Sequence, residues 1–411
     1  MNYINRAAEK LAKEAVETYK SILVTGARQT GKSTMLEALF PDRKVVTFDD
    51  QFAEDQAKNN PTEFIDLNPP PVTYDEVQYV PSLFRYIKIA CDASKDTGLF
   101  CLTGSQPSKL MKAASESLAG RVSIIELSTL SLREMQKTDF DQSFVPTMEY
   151  VKARQKSAKK PENIWSIIHR GGYPALQNPK MNWERFFSDY IKTYLERDVR
   201  ALSAVQDLNT FRRFMIACAA RTGQMLNYSN IASEISKDAD TVKNWISILE
   251  ASGIIYILEP YCPSVLNRAI KTPKLYFRDT GLACYLTRWL TPETLANGAM
   301  AGEIFETYVI SEILKSYSNA GIDYHYCVSY YRGKDKKDSS ESEIDFIIEK
   351  DGLLYPVEIK KTAKPAADMT SAFTILDNIP EKKRGTGAVV CMCSAPGVLR
   401  ENILAIPVWY V

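Results

Sequence analysis

Residues 26–33 have the types and spacing that a phosphate-binding loop requires. They read Gly-Ala-Arg-Gln-Thr-Gly-Lys-Ser and match GxxxxGK[ST] at every fixed position. Glycines let the backbone wind around phosphates with its N–H groups pointing inward, and the N-terminus of a following helix adds a positive dipole end. Lys32 would reach the β- and γ-phosphates, while the Ser33 hydroxyl would bind Mg²⁺. The pattern predicts ATP and Mg²⁺ as ligands, with binding residues Gly26, Ala27, Arg28, Gln29, Thr30, Gly31, Lys32, Ser33 and Thr34.

The context of this loop separates it from a chance Gly-Lys-Ser in a strand-to-helix turn. The apolar run Ser21–Thr25 ends directly before it, and a helical stretch follows from Lys32 to Phe40. We also expect Lys32 to be exposed in the empty loop, because its charge serves the phosphates rather than the core.

Two adjacent carboxylates further along the chain fit the same chemistry. Asp75 and Glu76 follow the apolar run Pro71–Tyr74, the arrangement called Walker B. Asp75 would hold Mg²⁺ directly or through water, and Glu76 would orient and deprotonate the attacking water. An Asp-Glu pair after an apolar run is by itself common as a solvated strand end. Together with the phosphate loop it predicts ATP hydrolysis.

Ser105 and Arg121 are two further candidates for the same site. Ser105 lies in Thr-Gly-Ser-Gln at the end of an apolar run, which would bring its hydroxyl beside the γ-phosphate. A plain strand-ending turn explains that pattern about as well. Arg121, in Leu-Ala-Gly-Arg, would sense the γ-phosphate, although an arginine paired with a surface carboxylate is an equal alternative.

The elements that must position these residues are short apolar runs that alternate with helical stretches. This alternation is typical of a parallel sheet covered on both faces, and it predicts an α/β fold. Five strands are expected within the first part of the chain, at 21–25, 44–48, 71–74, 99–103 and 122–126.

A second group of charged residues lies near the other end of the chain. Glu306 follows the start of a long amphipathic helix, Asp345 starts a strand, and Glu358 and Lys360 lie on the next strand. Alternation places Glu358 and Lys360 on one face of their strand. A solvated strand edge with Glu and Lys two residues apart also explains that face, and on the pattern alone it is the more common case.

With these landmarks, and with Gly171-Gly172-Tyr173-Pro174 and residues 194–198, the chain resembles a family of prokaryotic AAA+ ATPases of the AAA plus DUF4143 type. Their P-loop module is followed by a region of unknown function that is related to restriction-like nucleases, and the resemblance covers nearly the whole sequence. Most AAA+ proteins carry Asn where Ser105 stands. We have no chemistry for the Gly-Gly-Tyr-Pro turn.

For the second charged group, the resemblance implies a site of the PD-(D/E)xK type. Asp345 and Glu358 would bind Mg²⁺ together with the carbonyl of Ile359, Lys360 would position or activate water, and Glu306 would complete the site. We therefore expect Asp345, Glu358 and Lys360 to lie within one metal-site radius, with Glu306 facing them.

Four parts are expected along the chain. They are a P-loop AAA+ core (1–129), a helical lid (130–178), a helical and winged-helix domain (179–262) and a PD-(D/E)xK-like α/β carboxy-terminal domain (263–411). The winged helix is suggested by a helix-turn-helix spacing between Asn227 and Leu258.

Composition excludes several classes of protein. Lys and Arg number 51 against 50 Asp and Glu, so the net charge of +1 gives no global sign of nucleic-acid or membrane binding. The eight cysteines form no CxxC pair and the only histidines are His169 and His325, which argues against a zinc site. No apolar run approaches the ~18 residues of a membrane helix, and the charged amino-terminal stretch does not resemble a signal peptide. We expect a cytoplasmic protein.

These observations predict an ATPase that couples Mg²⁺-dependent ATP hydrolysis to a DNA-linked, nuclease-like module. The alternative is an ATP-dependent regulatory protein whose carboxy-terminal domain binds a protein partner without cutting nucleic acid. A P-loop kinase would need an acceptor site, and the sequence offers none that we recognise. The target, the oligomeric state and any need for a neighbouring subunit stay open.

Overall fold

Residues 3–105, 116–195, 207–262, 272–334 and 341–411 are described by the computed structural model of this chain. Within those ranges no helix is both long enough and apolar enough to cross a bilayer. The landmark segment 194–198 and the polar, charged stretch 332–340 lie partly outside the described residues.

The first part of the chain forms a five-stranded parallel sheet in the order β2-β3-β4-β1-β5. The five predicted strands are confirmed, each within one or two residues of its expected bounds. Central β1 is buried at every position, as a strand covered on both faces must be. The strands are β1 (Ser21–Thr25), β2 (Lys44–Thr47), β3 (Val72–Asp75), β4 (Phe100–Thr103) and β5 (Val122–Glu126).

Helices cover both faces of this sheet. Alternation along β1 sends Ile22 and Val24 into one apolar cluster, with α1 and α2, and Leu23 into the other, with α3, α4 and α5. The sheet is therefore held between two helical layers. The helices are α1 (Glu9–Thr18), α2 (Lys32–Leu39), α3 (Gln51–Asn59), α4 (Pro61–Leu67) and α5 (Leu83–Ala93).

The region expected to be a lid consists of short helices, α6 (Leu132–Met135), α7 (Met148–Gln155) and α8 (Ile164–Arg170). Helix α6 begins with a capping box between Ser131 and Glu134. This region packs on the last part of the chain, since the Tyr150 hydroxyl donates to the Tyr410 carbonyl at 2.8 Å.

A group of helices and a small antiparallel sheet follow. The sheet has the order β6-β8-β7, and β8 pairs with β7 through Tyr256 and Tyr276. The predicted boundary between residues 262 and 263 therefore falls inside this sheet. The elements are α9 (Trp183–Tyr190), α10 (Leu208–Ala219), α11 (Tyr228–Ile235), α12 (Ala239–Ala251), β6 (Gln224–Met225), β7 (Ile255–Leu258) and β8 (Lys274–Phe277).

The last part of the chain is a mixed sheet beside the long helix α15. The order is β14-β15-β13-β11-β10-β9, and β12 pairs with β11. Strand β9 begins at Val328, shortly after residues 324–326, which form a single 3-10 turn. The elements are α13 (Thr280–Leu286), α14 (Pro292–Ala296), α15 (Ala301–Ser318), β9 (Val328–Lys334), β10 (Glu341–Lys350), β11 (Leu353–Lys360), β12 (Lys383–Arg384), β13 (Gly387–Cys391), β14 (Gly397–Arg400) and β15 (Ile403–Pro407).

One large apolar core is shared by the lid, middle and last regions. It includes Phe144 from the lid region, Trp245 from α12, Ile310 from α15 and Trp409 near the last strand. The lid, middle and last regions are thus packed as neighbours around shared side chains.

Candidate functional site

The phosphate loop lies between β1 and α2, where the sequence predicts it. Gly26 and Gly31 have φ values of +136° and +93°, which side chains with a Cβ rarely adopt. A Cβ on Gly26 would lie 2.2 Å from the carbonyl oxygen of Leu127, which follows β5. The first glycine is therefore required by the close approach of the neighbouring strand.

Lys32 is buried, with only 6% of its surface exposed, so the expectation of an exposed lysine is wrong. Its ammonium donates to the carbonyls of Gly26 at 3.2 Å and Ala27 at 3.0 Å. A buried ammonium must find acceptors, and the carbonyls of the loop itself supply them. Two of the three N–H donors of the ammonium are therefore used within the loop.

Asp75 is surrounded by hydroxyl groups at the carboxyl edge of the sheet. Its carboxylate accepts hydrogen bonds from Ser33, from Thr103 at 2.5 Å and from Thr47 at 3.2 Å. The two residues predicted to hold Mg²⁺, Ser33 and Asp75, are therefore in direct contact. Hydroxyl and carboxylate oxygens are the donors that Mg²⁺ prefers, so this pair fits the ion.

Glu76 follows Asp75 in the left-handed region, at φ 57°. Its carboxylate accepts hydrogen bonds from Ser105 Oγ at 3.1 Å and from the side-chain amide of Gln78, while its own N–H donates to Thr103 Oγ1 at 3.2 Å. The structure thus brings Ser105 to Glu76. Gln78 is a site residue without a predicted role, and its only sequence signal is its place two residues after Glu76.

Arg121 lies at the opposite edge of the sheet, so its assignment to the phosphate site of its own chain needs correction. It precedes β5, whose first residue, Val122, pairs with Ser21, whereas the loop begins at the other end of β1. Its guanidinium instead binds Asp92, with Nε 2.5 Å and Nη2 3.2 Å from the carboxylate oxygens. This is the surface ion pair that the sequence left as the alternative.

Arg6 is a buried residue of the site that sequence reasoning missed. It donates to the Thr30 carbonyl in the loop at 2.7 Å, and its Nε lies 2.9 Å from Glu134 Oε1 at the start of the lid region. Burial alone would raise the pKa of Glu134, but the Arg6 guanidinium and nearby backbone N–H groups hold it below its ordinary value. Arg6 therefore ties the loop to the lid region.

Asp345, Glu358 and Lys360 meet on the adjacent strands β10 and β11, as predicted for the second group. Lys360 Nζ lies 3.3 Å from Asp345 Oδ2 and 2.5 Å from Glu358 Oε1. Asp345 also accepts a hydrogen bond from the Ile359 N–H at 2.8 Å. The other oxygen of Glu358 is buried and has no hydrogen-bond partner.

Glu306 faces this group from α15, but its closest partners are on β8. The Tyr276 hydroxyl donates to Glu306 at 2.6 Å, and Lys274 Nζ lies 3.4 Å from the same oxygen. Lys274 also lies 2.5 Å from Glu343. A lone lysine at the start of a strand gives no sequence signal for this role. We call Glu306, Glu343, Asp345, Glu358, Lys274 and Lys360 the acidic cluster.

The carboxylates of the acidic cluster lie close together and most are largely buried, so their negative charges repel one another. Burial, and then the Asp345 carboxylate, raise the pKa of both Glu306 and Glu358 above the ordinary glutamate value. Among the described residues, no three His, Cys, Asp or Glu side chains are placed to hold a metal ion together. The predicted residues therefore converge without forming a ready metal site, because Lys360 and Lys274 bind their carboxylates.

Three family models match successive parts of the chain. Residues 18–136 match an AAA domain, residues 161–293 a domain of unknown function (DUF8612), and residues 301–411 a domain of unknown function (DUF4143). Similar proteins include the uncharacterized protein Rv2008c of Mycobacterium tuberculosis and the uncharacterized protein Mb2031c of Mycobacterium bovis. Each is 26% identical over 383 residues, which cover 90% of this chain and 77% of the relative.

Solved structures show only a distant likeness. The Walker-type ATPase PABY2304 of Pyrococcus abyssi has a TM-score of 0.40 at 14% identity, covering 68% of this chain and 94% of its own. AMPPCP-bound DnaA from Aquifex aeolicus has a TM-score of 0.30 at 18% identity, covering 61% and 89%. Such scores carry no functional weight. By the family matches, the chain has a segment similar to AAA domains near its start, followed by two segments that match domains of unknown function.

Proposed function

We propose that this protein binds ATP at residues 26–34 and hydrolyses it with Mg²⁺. The observation that carries this proposal is the contact between Ser33 and Asp75 directly beside Glu76, at the edge of the sheet where the phosphate loop begins. Mg²⁺ held by Ser33 and Asp75 would neutralise charge on the phosphates.

Each residue then has a distinct task. Lys32 leaves the loop carbonyls to bind the β- and γ-phosphates, and Glu76 accepts the proton of the attacking water. Ser105 and Gln78 hold the Glu76 carboxylate in place through the hydrogen bonds described above. Release of phosphate from ATP by the purified full chain, with Mg²⁺ and then with excess chelator, tests the proposal. Hydrolysis that is equally fast in chelator would contradict it.

For the carboxy-terminal part, the acidic cluster supports a nuclease-type site as one candidate. The buried Glu358 oxygen without a partner is a free ligand position beside Asp345. Cleavage of plasmid and single-stranded DNA in Mg²⁺ or Mn²⁺, with and without ATP, tests this function. Asp345→Ala and Lys360→Ala should abolish any such cleavage, and cleavage that survives both substitutions would exclude the cluster as its source.

The ion pairs within the acidic cluster favour a second candidate function, in which this domain binds a partner molecule without cleaving nucleic acid. Lys360 and Lys274 already satisfy the carboxylates that a metal would need. The helices α11 and α12 with strands β6, β7 and β8 have the order of a winged helix, which serves as a DNA-binding or a protein-docking module. Lys243 on α12 lies 3.4 Å from Asp240 on the same helix, so this face offers little net positive charge to DNA.

A further inference from the structure

Strand β8 touches both candidate sites. Its first residue, Lys274, lies in the acidic cluster, and Arg278, directly after its last residue, contacts the first sheet beside the phosphate loop. The two positions are four residues apart, or about 13 Å along an extended chain. Because alternate side chains share a face, Lys274 and Tyr276 point to the same side of the strand, and Arg278 directly follows its last residue, Phe277.

At the nucleotide end, Arg278 binds Glu126, the last residue of β5. Glu126 pairs in register with Thr25, the residue before Gly26. The Arg278 guanidinium also binds the Tyr324 hydroxyl at 2.5 Å, and that hydroxyl donates to Glu126 at 2.8 Å. The side chain is 17% exposed, so the ion pair is largely shielded from water.

At the other end, two residues of β8 bind the same carboxylate of α15. Lys274 and Tyr276 both contact Glu306 Oε1, as described above. Helix α15 is also fixed to the nucleotide end, since the Ser311 hydroxyl donates to the Arg278 carbonyl at 2.7 Å. The strand and the helix therefore connect the same two places.

Hydrogen bonds within the phosphate loop should change when phosphates bind. Lys32 holds the carbonyls of Gly26 and Ala27, and those hydrogen bonds are lost when the ammonium turns to a phosphate. Gly26 abuts the Leu127 carbonyl, one residue from Glu126, and Ala27 abuts the turn at Gly253 that leads into β7. A rearrangement at the base of the loop would therefore change its packing contacts with the residue after β5 and with the turn before β7.

We propose that β8 couples nucleotide binding at the phosphate loop to the contacts that Lys274 and Tyr276 make with Glu306 in the acidic cluster, with Arg278 as the positioning residue at the nucleotide end. The inference depends on the proposed nucleotide binding. Coupling of this kind is reciprocal: a ligand bound at the acidic cluster would change nucleotide affinity by the same factor by which nucleotide changes the affinity for that ligand.

A double-mutant cycle tests the inference on the full chain. The dissociation constant of the Mg²⁺ complex of β,γ-methylene-ATP is measured by calorimetry for the parent, Glu306→Gln, Arg278→Gln and the double variant. We expect Glu306→Gln to change the constant by about 5-fold or more in the parent and by less than about 2-fold when Arg278 is already replaced. Glu349→Gln, which breaks a partly exposed pair with Lys382 on the same sheet, is the matched control and should leave the constant unchanged.

Two outcomes overturn the inference: no change with Glu306→Gln, or an equal change in both backgrounds. A purely structural role for Arg278 would lower the melting temperature without producing this non-additivity. If Arg278→Gln does not fold, Glu126→Gln removes the same ion pair and replaces it in the cycle. A parent protein that does not bind the nucleotide analogue at all would instead overturn the proposed function, and the coupling with it.

Discussion

At the scale of single residues, the nucleotide site is organised around the Asp75 carboxylate. The three hydroxyls that bind it come from different elements: Thr47 ends β2, Thr103 ends β4 and Ser33 lies in the first turn of α2. Because the carboxyl ends of parallel strands meet at one edge of the sheet, Asp75 and Glu76 at the end of β3 lie beside the phosphate loop at the end of β1. Substitutions of Asp75 and Glu76 should nevertheless have different effects on ATP hydrolysis.

We expect Glu76→Gln to retain ATP binding while slowing hydrolysis by about 10²- to 10⁴-fold, since the amide preserves shape and loses the base. Asp75→Asn should in addition raise the Mg²⁺ concentration needed for half-maximal hydrolysis, because it weakens a proposed ligand. Phosphate release and calorimetric ATP titration across a range of Mg²⁺ concentrations separate the two effects. Equal loss of ATP binding in both variants would mean that these carboxylates support structure instead.

The acidic cluster predicts a pH dependence of stability. Burial and the nearby Asp345 carboxylate raise the pKa of Glu358 from 4.5 to about 8 in the folded protein. The folded state therefore holds this proton more tightly than the unfolded state, and the resulting stabilisation is full below pH 4.5 and is lost as pH rises through about 8.

We accordingly expect the melting temperature to fall between about pH 5 and about pH 8, and to fall less in Glu358→Gln. Thermal unfolding followed by circular dichroism over that range is the measurement. Glu349→Gln serves as the control and should keep the full dependence, because its carboxylate is partly exposed. A fall of the same size in Glu358→Gln would show that Glu358 does not titrate in this window.

At the scale of elements, the Gly-Gly-Tyr-Pro turn gains a role that the sequence alone did not supply. The Gly172 N–H donates to Asp279 at 2.8 Å, and the Gly172 carbonyl accepts a hydrogen bond from the Leu130 N–H at 2.7 Å. The turn therefore joins the start of the lid region to the residue that caps α13. Sequence reasoning identified the tight turn from its glycines, but its partners lie elsewhere in the chain, beyond any local pattern.

We expect Gly171→Ala to lower the free energy of unfolding by about 1–3 kcal/mol. Gly171 has φ +79°, and a Cβ there would lie 2.4 Å from Asp279 Oδ1. Gly302→Ala is the control, since Gly302 is helical with open space around it, and should be neutral or stabilising by up to about 1 kcal/mol. Urea unfolding of both variants gives the comparison, and equal free energies would refute the close packing of this turn.

At the scale of the whole molecule, how far the sequence predicts the structure depends on how local each signal is. The phosphate loop and the five strands of the first sheet follow from short patterns in consecutive residues. The burial of Lys32, the Arg6–Glu134 pair and the Arg278–Glu126 pair do not, because each depends on how distant segments fold together. For the same reason the predicted boundary at 262 and 263 divides a sheet that folding keeps whole.

A fragment of residues 263–411 should therefore lack a cooperative melting transition. It would lose β6 and β7 as partners of β8, and α15 would lose the lid residue Phe144, whose carbonyl accepts from Tyr317 at 2.9 Å. Circular dichroism of the fragment and of the full chain during heating makes the comparison. A fragment that melts as sharply as the full chain, and at the same temperature, would show that this region folds on its own.

The most direct test of the account is calorimetric titration of ATP, with Mg²⁺ present, into the parent protein and Lys32→Ala. We expect the parent to bind one ATP per chain, and the variant to remain folded and to lose measurable binding, because Lys32 is the side-chain cation assigned to the β- and γ-phosphates. Equal affinity of the two proteins, at matched melting temperatures, would contradict the assignment of residues 26–34 as the nucleotide site.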